Sequence, residues 1–276
     1  MRLIFYFIGC FLFFDSNIIG QSFDNANRRL AEGDYRGAIQ EYDRIIKMNP
    51  TNAIAYNLKG QADKHSGDRS AALWDFTEAI NLDSNYCAAY INRGFIRLSF
   101  HVIDAAIADF SKAVSLRPGD AEGYLGRGKG EEEIGQFAQA QKDYEKALQI
   151  RTNDASALCG LGKICFRAGK FDEAKTNYIR ALMAPNHFRA AAYAGLADVY
   201  LTQTNTTQAL QFYIQAQNCE PDSIEIQIKL GNTLLKMGRN EDALSHFKKV
   251  LSLNPDSAAA QNGLKAAQAK IKSGRP

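Results

Sequence analysis

The apolar positions of this chain fall into one pattern that recurs along almost its whole length. A small residue stands at Ala38, Ala72, Ala106, Ala140, Ala174, Ala209 and Ala243, at intervals of 34, 34, 34, 34, 35 and 34 residues. Four residues after each comes an aromatic ring: Tyr42, Phe76, Phe110, Tyr144, Tyr178, Tyr213 and Phe247. Three residues further on come Ile45, Ala79, Ala113, Ala147, Ala181, Ala216 and Val250. Steps of four and then three place side chains on one face of an α-helix. A second helix is predicted ahead of each of these, because Tyr56/Gly60, Tyr90/Gly94, Tyr124/Gly128, Leu158/Gly162, Tyr193/Ala197 and Gln227/Gly231 recur at spacing four. Glycine within a helix costs about 0.5–1 kcal/mol relative to alanine. Its return to one position therefore points to close approach by a neighbouring helix.

Punctuation follows the same period. Gly33, Gly67, Gly135, Gly169 and Gly238 lie five residues before the recurring alanine, where a left-handed residue ends the first helix. Pro50, Pro118, Pro221 and Pro255 lie twelve residues after it and stop the second helix. Two units depart from the rule. The third has Phe100-His101-Val102-Ile103 in place of the turn glycine, which predicts an apolar, exposed turn. One residue is inserted near Pro185-Asn186-His187-Phe188, which is expected to bulge as a loop. At the ends, Ser22, Asn25, Ala26 and Arg29 would let the first helix face water. Gln261, Lys265 and Gln268 would do the same for a final helix from Ser257 to about Ile271.

One unit, Ala121 to Thr152, reads AEGYLGRGKGEEEIGQFAQAQKDYEKALQIRT and resembles a tetratricopeptide repeat, a helix–turn–helix module of about 34 residues. The resemblance runs from Phe23 to Ile271. It implies an all-α fold: a right-handed superhelical solenoid of seven repeats, at about 21–52, 53–86, 87–120, 121–154, 155–189, 190–223 and 224–256, with a capping helix and tail over 257–276. Those units account for the chain, so no second domain and no catalytic module is expected. The family is one of binding scaffolds, so the expected activity is protein–protein interaction, with no catalytic residue, cofactor or metal.

In that family the ligand-facing side chains lie at the second, fifth, ninth and twelfth positions of each repeat. Carried over, this gives a candidate partner-binding groove of Asn57, Ile91, Phe95, Leu98, Leu125, Lys129, Lys163 and Phe166. Its apolar centre beside two lysines suits a protein or peptide partner, as an amphipathic helix or an extended segment with acidic flanks. Packing between adjacent first helices is the other reading of the same residues. The carboxylate clamp of chaperone adaptors is not matched: repeats two to four offer Asn57 and Gln61, then Asn92, then Glu122 and Gly126, and Asn92 alone fits.

Composition changes this picture little. The balance of 33 Lys+Arg against 30 Asp+Glu, net +3, supplies no concentrated basic face for nucleic acid. Gly126-Arg127-Gly128-Lys129-Gly130 looks like a phosphate loop, yet no strand precedes it and no Ser or Thr follows the lysine. His65, His101, His187 and His246 lack metal-ligand spacing. Glu131-Glu132-Glu133 reads as a solvated patch, and Cys87, Cys159, Cys165 and Cys219 read as buried small side chains. Asn205-Thr206-Thr207 is a glycosylation sequon, of consequence only in a secreting eukaryote.

The N-terminus stands apart. Met1-Arg2, the apolar run Leu3 to Phe14 and the polar stretch Asp15 to Gln21 have the order of a secretory signal peptide over residues 1–20, cut after Gly20. Twelve apolar residues are short of the roughly 20 that span a bilayer, but Ile18 and Ile19 leave an uncleaved membrane anchor open. Phe7-Ile8-Gly9-Cys10 faintly resembles a lipoprotein box placed too early. The expected location is secreted or periplasmic, with membrane anchoring as the alternative. A self-associating structural repeat protein is a further reading, and oligomeric state is left open.

Overall fold

A computed structural model describes residues 20–185 and 189–274. The proposed leader or anchor and Cys10 lie outside the described residues, as do Asn186, His187 and Phe188 of the insertion. The described residues are helical, with no strand, and divide into two compact units on either side of the Ala140–Gln141 boundary.

Unit one contains α1 (residues 20–31), α2 (Tyr35–Met48), α3 (Ala53–Ser66), α4 (Arg69–Leu82), α5 (Cys87–Ser99), α6 (Ile103–Leu116) and α7 (Ala121–Glu133). Helix α8 (Phe137–Ile150) begins at its end and continues into unit two. Unit two proceeds through α9 (Ala155–Arg167), α10 (Phe171–Met183), α11 (Arg189–Thr202), α12 (Thr206–Cys219), α13 (Ile224–Lys236), α14 (Asn240–Leu253) and α15 (Ala258–Ser273). Odd-numbered helices are the first members of hairpins and even-numbered helices the second.

The helix ends follow from local chemistry. Asp34, Asn52, Asp68, Asp154 and Asn205 cap α2, α3, α4, α9 and α12, each accepting a hydrogen bond from a first-turn backbone N–H. Gly67 takes φ +97° and ends α3 through its own N–H, as the glycine spacing predicts. Where glycine is missing, the turn keeps its shape regardless: His101 adopts φ +56° and Thr204 φ +58°. Phe100 and Val102 in that third turn are exposed, as expected.

The recurring aromatic is a wedge. Phe110 on α6 is fully buried, and a Cβ added at Gly94 on α5 would come within 2.8 Å of its ring. A Cβ at Gly126 on α7 would overlap the same ring more severely. The ring is thus clasped by its own hairpin's first helix and by the next. Tyr178 sits in the same way between Gly162 and Gly195, and Phe247 between Gly231 and Gly263. Close-packed interiors leave no slack for the added carbon. The clasp brings successive first helices together: α3 touches α5, α5 touches α7, α9 touches α11 and α13 touches α15.

The end helices differ from the expectation in one respect. Gln261, Lys265 and Gln268 are exposed on α15 as expected. In α1, however, Ala26 is fully buried against Ala38 and Tyr42, and the Tyr42 hydroxyl donates to Asn27 Oδ1 at 2.7 Å. That helix packs as an ordinary first member.

Candidate binding face

The eight groove residues do not behave alike. In unit one Asn57, Ile91, Leu98 and Leu125 are only 2%, 8%, 9% and 3% exposed. They fill the seam between neighbouring first helices, because the wedge draws α3, α5 and α7 too close for these positions to stay open. For these four positions burial agrees with packing between first helices, the other reading of the same residues. Asn57 is further occupied, since its amide donates to the Tyr86 hydroxyl at 3.2 Å and Asn92 donates to its Oδ1 at 3.0 Å.

Phe95 and Lys129 remain accessible in part. The Phe95 ring meets Phe110 edge-on, with centroids 5.0 Å apart, and the Lys129 ammonium sits 5.7 Å from the Phe95 centroid. A cation over a ring face is attracted by its quadrupole, which fixes a lysine beside an apolar platform. In unit two Lys163 is exposed and Phe166 half-buried, its ring edge-on to Phe171 at 5.6 Å. On α11 of the same unit, Asp198 accepts from the fully buried Tyr213 hydroxyl and from Lys229 Nζ at 2.8 Å. Burial, and then the Asp198 carboxylate, pushes the Tyr213 hydroxyl far above its usual range. Burial lowers Lys229, but Asp198 and Glu225 outweigh it, so this lysine stays charged.

A second arrangement escaped the sequence reading. Thirteen and nine residues before the recurring alanine, and three after it, hairpin two has Lys59, Asp63 and Asp75 and hairpin three has Arg93, Arg97 and Asp109. Arg93 donates to Asp109 from Nε at 3.0 Å and Nη2 at 2.7 Å, and Arg97 Nη1 adds a third contact at 2.7 Å. The first cation of each set, and Arg127 at the same position of hairpin four, also reaches back sixteen residues: Lys59 to Asp43 at 3.6 Å, Arg93 to Thr77 at 3.4 Å and Arg127 to Ser111 at 3.5 Å. Successive hairpins of unit one are therefore linked by half-buried cations that reach a carboxylate or a hydroxyl of the hairpin before. At the same positions hairpin six has Leu196, Tyr200 and Phe212, and hairpin seven has Leu230, Leu234 and His246. The signal was present as charged residues recurring with the period at otherwise apolar positions.

Among the described residues, no group of three or more His, Cys, Asp or Glu side chains could hold a metal ion. Burial pushes the Cys87 and Cys165 thiols up, away from the nucleophilic thiolate. Burial lowers His246, whose Nδ1 lies 2.6 Å from Gln227 Oε1. Two smaller readings change: Cys219 is exposed and Glu131 is buried. Gly126-Arg127-Gly128-Lys129-Gly130 lies inside α7. No helix among the described residues is long and apolar enough to cross a membrane.

Comparison with known proteins gives three matches to family profiles described as tetratricopeptide repeat, over residues 23–81, 133–185 and 224–257. Curated protein sequences yield no match. Among solved structures, a hetero-tetramer of the APC/C, Cut9–Hcn1, superposes with a TM-score of 0.78 at 18% identity, covering 88% of this chain. This chain spans about half of that one, 48%. A tetratricopeptide repeat protein from Parabacteroides merdae superposes at 0.72 with 18% identity, over 91% of this chain and 98% of the other. YrrB, described as having an unusual peptide-binding site, gives 0.50 at 21% identity, over 67% of this chain and 95% of its own.

Proposed function

Since the chain is a tetratricopeptide repeat protein, we propose that it is a non-enzymatic scaffold or adaptor that holds a segment of a partner protein on its first-helix face. The observation that carries this reading is the half-exposed Phe95 platform with the Lys129 ammonium over it, on helices whose neighbouring positions are closed. An apolar ring beside a fixed cation suits a peptide or helix that presents an apolar anchor next to an acidic side chain. Lys163 and Phe166 supply the same two chemistries in unit two. Similarity to folds described as a hetero-tetramer and as carrying a peptide-binding site agrees with the class of activity.

The apolar run Leu3 to Phe14 supports an exported protein, secreted or periplasmic, that acts in assembling an exported or envelope-associated complex. The same run, extended by Ile18 and Ile19, favours a membrane-anchored assembly factor if it is retained. Mass spectrometry of the N-terminus separates the two.

The binding reading is tested by cross-linked capture from the native host with wild type and with Phe95→Glu/Lys129→Glu. Leu125 is left alone, because a buried glutamate there would test the fold and not the surface. A discrete protein held by wild type and lost by the still-helical variant is expected. Capture of the same set by both would overturn the assignment of this face.

A further inference from the structure

Hairpin two differs from hairpin three in its charge inventory. In hairpin three, two arginines face one buried carboxylate, Asp109. In hairpin two a single ammonium, Lys59 Nζ, faces two buried carboxylates: Asp75 at 3.3 Å and Asp63 at 3.8 Å. The same ammonium also reaches the half-exposed Asp43 of α2 at 3.6 Å. Asp63 lies within hydrogen-bonding reach of Asp75, and its Oδ2 has no hydrogen-bond partner. Two ionised carboxylates in that seam would leave one buried negative charge uncompensated and an acceptor unsatisfied, an arrangement that protein interiors do not tolerate. One proton between them supplies the missing donor and cancels the excess charge, as in other close carboxyl pairs.

We propose that Asp63 and Asp75 share a proton that holds α3 against α4, and that losing it loosens hairpin two, making this hairpin a pH-responsive element of unit one. The groups facing the pair are Lys59 on α3, Asp43 on α2 and, across Lys59, the Trp74 ring of α4 with its centroid 5.9 Å from Nζ. Helix α5 contributes Arg93, which is held by Asp109 and Thr77. Burial, then Asp63, pushes the Asp75 carboxyl up to about 8, against the opposing pull of Lys59. The folded state therefore binds a proton that the unfolded chain releases near its ordinary value of 3.8. Folding takes up that proton between these limits, so the pair's contribution falls as pH rises from about 3.8 to about 8 and is lost above that. One shared proton changes the folding equilibrium at most about tenfold per pH unit.

Trp74 is the chain's one tryptophan and its ring lies 5.9 Å from the Lys59 ammonium that faces the pair, so its emission senses a shift of that ammonium. The experiment follows Trp74 fluorescence and urea stability of the full chain from pH 5 to 9.5. In parallel, carboxyl carbon resonances of Asp-labelled protein are assigned through Asp63→Asn and Asp75→Asn. Expected are an emission change with a midpoint near 8, one carboxyl resonance titrating there, and loss of both in Asp63→Asn, whose amide replaces the proton as donor. If every Asp carboxyl titrates below about pH 5.5, or Asp63→Asn keeps the wild-type profile, the proposal is overturned. The carboxyl resonances read the proton in wild type alone, so the test stands even if a variant fails to fold.

Discussion

Removing the carboxylate of Asp109 is the sharpest perturbation of the charge seam in unit one. Asp109 is buried and accepts three short hydrogen bonds from two arginines whose side chains are 12% and 25% exposed. In Asp109→Ala, Arg97 keeps its bond to the Ala105 carbonyl at 3.2 Å and Arg93 keeps Thr77 at 3.4 Å, but two guanidinium charges lose their counter-ion. Breaking one side of a buried pair costs about 3–5 kcal/mol. Arginine stems that can carry their heads toward water place this case near the lower end, about 3 kcal/mol, a loss of over 100-fold in the folding equilibrium. Replacing the whole set by apolar groups is a different matter, since such exchanges are often neutral or stabilising. Hairpin six already carries that solution in Leu196, Tyr200 and Phe212, with Tyr200 and Phe212 stacked at 5.4 Å. The variant Arg93→Leu/Arg97→Tyr/Asp109→Phe should therefore recover stability to within about 1.5 kcal/mol of wild type. Urea unfolding followed by circular dichroism, with hydrogen exchange on α5 and α6, measures both. A cost below about 1 kcal/mol for the single variant, or a triple variant as weak as the single one, would refute the reasoning.

Other outcomes follow from particular contacts. Gly126→Ala puts a carbon into the Phe110 ring and should destabilise unit one by about 1–3 kcal/mol, whereas Gly119→Ala, with open space around it, should not; thermal melting compares them. His101→Gly and Thr204→Gly relieve left-handed strain of about 1–2 kcal/mol, offset in part by greater freedom of the unfolded chain, and should each stabilise by about 0.5–1 kcal/mol in urea. Asp154→Ala removes the side chain that caps α9 at 3.0 Å and should cost about 1–2 kcal/mol, seen as faster hydrogen exchange in the first turn of α9.

The hairpin architecture was legible because period, residue size and turn glycine all stated the same geometry. Alanine, then an aromatic four residues on, can mean little else when repeated seven times in register. The clasp was half legible. Gly60, Gly94 and their equivalents stood out, but the partner glycines at Gly126, Gly160, Gly195 and Gly263 begin only with the fourth repeat, and their role appears once the wedge is seen from both sides. The binding face was less legible, because the fifth and twelfth positions of a first helix point along a seam whose width depends on the next helix. Leu125 beside Gly126 is closed for that reason, while Phe95 is not. The buried charges were missed because charged residues are read as solvated by default. Asp75 and Asp109 lie directly before a core aromatic, and only the fold shows that the two helices of each hairpin enclose them.

If the chain holds a partner on its first-helix face, position 95 lies at the point of contact. A photo-reactive phenylalanine analogue placed at Phe95, with the same probe at Trp74 on α4 as control, tests it most directly in the native host. One discrete cross-linked protein is expected from position 95, weakened by Lys129→Glu, and none in common with position 74. No adduct at position 95, or the same adducts at both positions, would contradict a working first-helix face.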